Sequence, residues 1–272
     1  MNKIYTYARN RVVNLIDSPA HFFSVAGLTA NVRVVRKNQK DAANDGDFTT
    51  RFKNAIQTLI AQGNYSRIVD IHADMDHRMH SMNGPVGTQR FLPWHRTYLL
   101  KFEAELRIID SSLYVPYWDW VTDRAVPNWM QDFLPQGTTD LNGQPLPVNR
   151  FPGTNPDAPD LPTTADMDQV MTRNTYRGFT VALEGLHNTV HSWVGGVSGD
   201  SVGIMNDIVY SPADPIFWLH HAFIDKQWSV WQQIPANAGL IPQLAGADRI
   251  LDPWTETVDN VMSVTDLGYS YA

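Results

Sequence analysis

The chain has 272 residues and a formal net charge of −7, with 43% hydrophobic and 18% charged residues. That length supports one domain with a sizeable core, and the negative balance argues against nucleic acid or an anionic membrane as a partner. There is no cysteine, which excludes disulfides, thiolate zinc sites, iron–sulfur clusters and cysteine nucleophiles. Any metal must therefore be held by nitrogen or oxygen.

No apolar run approaches the roughly 20 residues that span a bilayer. The segment from Met1 to Arg9 lacks the apolar core of a secretory leader, so the expected location is cytoplasmic. Residues 1–34 show no clean period, and a strand is expected near Val32 to Val35. Asp45-Gly46-Asp47 precedes a helix near Phe48–Gln62, with Phe52, Ile56 and Leu59 on its apolar face and Gly63 as its stop. A second helix is expected from Tyr65 to about His77, with Ile68, Val69 and His72 on one side. Asn83-Gly84-Pro85-Val86-Gly87 reads as a loop. The helix Pro93–Ile109 follows, with Tyr98, Phe102 and Leu106 as its stripe and Arg96 and Glu103 as ion-pair partners.

Tyr114 to Trp120 is too bulky and polar at its end for a simple strand and reads as a packed turn. Residues 135–162 hold seven of the seventeen prolines, a long irregular excursion of the kind that forms functional rims. No composition change marks a linker, so residues 1–272 are expected to form a single domain. Asp166–Arg173 is a short helix, and Phe179–Trp193 and Pro215–Gln233 are longer ones. The tail from Gly246 to Ala272 is expected to close over the bundle as extended chain.

Eight of the nine histidines fall in four aromatic-rich patches, and only His21 lies elsewhere. A histidine on a buried stripe is ordinarily a hydrogen-bonded core residue. Here they cluster: His187 and His191 stand four apart on one helix, a spacing that grips one metal ion. His220 and His221 follow the helix start Asp214-Pro215, and His95 follows Pro93-Trp94, with His72, His77 and His80 upstream. Glu184-x-x-His187 has the di-iron spacing once, without a matching pair in the other half. A zinc hydrolase would add a carboxylate ligand and a general base. Imidazoles in two sets favour copper.

The motif Phe91-Leu92-Pro93-Trp94-His95-Arg96 with Leu99 and Glu103 resembles the first copper motif of the tyrosinase, catechol oxidase and molluscan haemocyanin family. Asp214-Pro215-x-Phe217-Trp218-x-x-His221-x-x-x-Asp225 resembles the second. Pro116-Tyr117-Trp118-Asp119-Trp120 and His187-Asn188-x-x-His191-x-Trp193 fit as well, so the resemblance runs from about Tyr65 to Gln233. It implies a mainly α fold: a four-helix-bundle core holding two copper ions, with long irregular loops and few short strands. It implies His187, His191 and His221 on the second copper and His220 beneath it. It implies His95 on the first copper, with His72 and His80 as the other choices and His77 as a rival, because a loop here disturbs the usual spacing.

The implied activity is oxidation of phenols by dioxygen: o-diphenols to o-quinones, and hydroxylation of monophenols. Asn188 and Glu184 are the residues expected to orient a water that takes the phenol proton. The other readings are a haemocyanin-like dioxygen carrier and a catechol or o-aminophenol oxidase without monophenolase activity. Many relatives carry a cysteine–histidine thioether, which this chain cannot form. Large relatives carry a carboxy-terminal domain over the site. Here the chain ends soon after Tyr271, so the site is expected to be open or covered by a separate partner, including one that delivers copper.

Overall fold

The computed structural model describes residues 33–272, so His21 and the expectations for the first 32 residues lie outside it. The chain enters through a short strand, β1 (Val34–Arg36), and the helices α1 (Gln39–Ala43), α2 (Phe48–Ala61) and α3 (Asn64–Ala73) follow. Next come the long helix α4 (Gly84–Ile109) and the single turn α5 (Asn128–Gln131). Helices α6 (Thr164–Met171), α7 (Tyr176–Gly195) and α8 (Ile216–Gln233) complete the helical part. A two-residue hairpin, β2 (Val197–Ser198) with β3 (Ser201–Val202), follows α7, and β4 (Tyr269–Tyr271) ends the chain.

The core is a bundle of α3, α4, α7 and α8, with α4 packed against both α7 and α8. Its filling is heavily aromatic. Trp94, Trp118, Trp120, Trp218, Trp228 and Trp231 are all fully buried, and Phe102 stacks on Trp218 at 3.8 Å. None of the helices in the described residues is long and apolar enough to cross a membrane.

Helix α4 starts nine residues before the sequence suggested. The stretch read as a loop, Asn83 to Gly87, caps and opens it instead, with Pro85 in the first turn, where a missing N–H costs nothing. Pro93 then sits inside the helix and cannot donate to the Gln89 carbonyl. That carbonyl is taken by the Tyr176 hydroxyl of α7 at 3.1 Å, so a tertiary contact replaces the lost helical bond. The helix predicted over Tyr65 to His77 stops at Ala73, and a separate 3-10 turn covers Met75–His77. The tail is less extended than expected. It contains 3-10 turns at Gly246–Arg249 and Val258–Val261 before β4 pairs in parallel with β1, Val34 against Tyr269 and Arg36 against Tyr271.

The pairing predicted between Arg96 and Glu103 does not form. Glu103 accepts from Arg36 at 2.9 Å, and Arg96 donates to Asp225 of α8 at 2.5 Å. Asp225 also receives the hydroxyls of Tyr269 and Tyr271 at 2.6 and 2.5 Å, and Arg36 at 3.3 Å. Two buried cations thus face two buried anions, which ties both ends of the described chain to α4 and α8. Removing one member of such a network leaves an unpaired buried charge, a cost of about 3–5 kcal/mol.

Candidate metal centre

Each bundle helix delivers histidines to the same interior region. Among the described residues two groups could hold a metal ion: His72, His80 and His95, and His187, His191, His220 and His221. Within each group the ligating atoms lie within 4.8 Å of one another. The groups face each other, with the His95 and His221 rings stacked at 4.6 Å and those of His80 and His187 6.3 Å apart.

Backbone carbonyls fix the tautomers. The Nδ1–H of His95 donates to the Phe91 carbonyl at 2.7 Å, that of His72 to Val209 at 3.2 Å, and that of His191 to Met205 at 2.9 Å. The Nδ1–H of His187 donates to Asn188 Oδ1 at 2.9 Å. A neutral imidazole that donates from Nδ1 has only a lone pair at Nε2. Yet His187 Nε2 lies 3.0 Å from His191 Nε2 and 3.1 Å from His221 Nε2. His95 Nε2 is buried without any partner. The two lone pairs of His187 and His191 repel at hydrogen-bond distance unless a cation sits between them. The nitrogen-only set therefore fits a metal that favours imidazole.

Burial keeps these rings neutral. It holds the imidazoliums of His72, His95, His187 and His221 well below the usual histidine range, and their mutual proximity adds to the effect. For His191, burial brings the value down to about 4 despite the opposing Met205 carbonyl. Imidazoles that stay unprotonated at neutral pH do not compete with protons for a metal.

His220 stands apart from its neighbours. Trp120 Nε1 donates to its Nδ1 at 3.0 Å, and an indole N–H can only donate. The proton of neutral His220 is thereby placed on Nε2, which removes that lone pair from metal binding. Its ring stacks on His187 at 4.9 Å and supports it from below. Phe217 stacks on His221 at 3.9 Å from the other side.

His80 comes from a loop rather than a helix. The 3-10 turn Met75–His77 ends at Arg78, which has a left-handed φ of 49°, and a second turn, Ser81–Asn83, leads into α4. A Cβ at Gly87 would sit 1.9 Å from the His80 carbonyl, so only glycine lets the loop approach α4 this closely. Glu184 of α7 accepts from the Ser81 backbone N–H at 2.8 Å and lies 3.7 Å from His80 Nδ1. His77 is buried against Trp94, 3.9 Å from Asp74, and outside both groups.

A pocket of about 170 Å³ opens onto the two groups, lined by His72, His80, His187, His191, Asn188 and Ser192 together with Met205, Asn206, Ile208 and Ser211. Asn188 thus reaches the pocket wall, whereas Glu184 does not and stands behind His80. The contribution of residues 205–211 was missed in the sequence, because a turn of mixed polarity carries no period to mark it.

The family model described as the common central domain of tyrosinase matches residues 62–154 and 134–234. The tyrosinase of Streptomyces galbus is 36% identical over 270 residues, covering 82% of this chain and 93% of its own. That of Streptomyces glaucescens is 35% identical with the same coverage. A solved functional unit of octopus hemocyanin has a TM-score of 0.64 at 22% identity, covering 88% of this chain and 68% of that one, a likeness of fold.

Proposed function

This chain belongs to the tyrosinase family of type-3 dicopper proteins, and from that premise we propose that six buried imidazoles carry its chemistry. His72, His80 and His95 hold one copper, and His187, His191 and His221 hold the other. The function is that of a tyrosinase, the copper-dependent oxidation of phenols with dioxygen. The observation that carries the ligand assignment is the convergence of the His187 and His191 Nε2 lone pairs at 3.0 Å, with the Nδ1 of each tied to an oxygen acceptor and His221 Nε2 3.1 Å from His187. We read the whole chain as one catalytic domain, a reading supported by the pairing of β1 with β4.

When bound, the copper pair activates dioxygen, drawing two electrons from an o-diphenol or delivering an oxygen atom to a monophenol. The chain's own residues position the substrate. A cavity of about 150 Å³ accommodates benzene, so the 170 Å³ pocket admits a single phenol ring. A phenol has a pKa near 10 and must lose its proton to react as phenolate. Asn188 accepts the His187 Nδ1–H through Oδ1 and lines the pocket, which leaves its amide Nδ2 as the group that can donate to a water there. There it orients a water that relays the phenol proton to solvent through the open pocket. Glu184 acts on the His80 loop instead of on the substrate, and His220 supports His187.

The test is the ratio of monophenol to o-diphenol oxidation by copper-loaded Asn188→Ala. Proton removal by a positioned group contributes about 100-fold or more. The monophenol rate is therefore expected to fall by at least about tenfold relative to the diphenol rate. An unchanged ratio would remove Asn188 from proton transfer.

A further inference from the structure

We propose that the turn Gly203–Ser211 is a clamp that aligns one imidazole of each triad, with Asp207 as the positioning residue that shapes it. The inference rests on the six-ligand reading above. Two carbonyls of this one turn reach the two groups: Met205 accepts the Nδ1–H of His191 at 2.9 Å, and Val209 accepts that of His72 at 3.2 Å. His72 and His191 belong to different helices and different triads, so the turn is a shared abutment. A carbonyl behind a ligating histidine fixes its tautomer and its aim.

Asp207 sits between the two carbonyls and sets their separation. Its Oδ1 accepts from the Val209 and Tyr210 backbone N–H groups at 2.9 and 3.4 Å. Its backbone N–H donates to Ile204 at 3.0 Å, and its carbonyl accepts from Ser211 at 2.8 Å. The turn is fixed from outside as well. Asn149, in the proline-rich excursion, accepts from the Ile204 N–H through Oδ1 at 3.0 Å. A Cβ at Gly203 would lie 2.1 Å from the Gly195 carbonyl, so glycine is what lets the turn seat on the end of α7. The same turn forms one wall of the pocket. Its shape therefore sets ligand alignment and substrate access together.

The experiment compares the full-length parent with Asp207→Ala and Asp207→Asn in two measurements. Copper affinity is read by competition with a chelator, and the His72 Nδ1–H proton resonance is read in the metal-free protein. Loss of a partner behind a metal-bound histidine weakens binding by about 10–100-fold. Asp207→Ala is expected to lose affinity in that range and to shift the His72 resonance. Asp207→Asn keeps an acceptor at Oδ1 and is expected to stay close to the parent. A folded Asp207→Ala with parental copper affinity and an unshifted resonance overturns the inference. If Asp207→Ala does not fold, Gly203→Ala, which displaces the Met205 carbonyl, must weaken copper binding and shift the His191 resonance, and its failure to do either is equally decisive. A parent that takes up fewer than two coppers would remove the ligand reading beneath the inference. Two coppers in the parent with no loss in the variants would remove the inference alone.

Discussion

The two proposed triads are built differently. The second is made by regular helices: His187 and His191 lie one turn apart on α7, and His221 comes from the middle of α8 between Phe217 and His95. The first takes His72 from the last turn of α3 and His95 from α4, but His80 from a loop with a left-handed arginine at position 78. One triad inherits its geometry from helical spacing. The other needs Glu184, Gly87 and the Arg78 turn to bring its middle ligand in. The middle ligand of the first triad therefore depends on loop contacts, whereas the turn at Met205 and Val209 serves one histidine of each.

The largest expected effect is the loss of a helix-borne ligand. His191→Ala should release one copper and reduce catechol oxidation to background, as measured on purified protein with metal analysis. Retained turnover would break the claim that both sites are needed. A smaller effect sharpens the contrast between the triads. Glu184→Ala removes the acceptor of the Ser81 amide that holds the His80 loop and is expected to lower copper affinity at the first triad by about 10–100-fold while sparing the second. Equal weakening at both sites would erase the asymmetry.

The same contrast explains what could be read from the sequence. The helices bearing His95, His187 and His221 were legible from apolar stripes at helical spacing, joined at His221 by the start signal Asp214-Pro215. His72 and His80 came from the resemblance and from patch membership, and the loop between them had no period that could separate His80 from His77. His80 lies with His72 and His95, and His77 packs on Trp94. The start of α4 was missed because Gly84 and Pro85 are ordinary loop signals that here sit in a first turn. The partners of Arg96 and Glu103 were missed because Arg36 and Asp225 are distant in sequence and meet only when the bundle closes. The resemblance suggested Glu184 as a partner of Asn188; one of its oxygens accepts from the Ser81 amide and the other is buried without a partner. Helical spacing fixes the face a residue occupies, but the partner on that face is chosen by the fold.

The most direct test of the central claim is the number of coppers retained per chain after saturation and removal of loose metal. Two are expected for the parent, and one when a histidine of either triad is replaced by alanine. A folded parent that retains a single copper would contradict it.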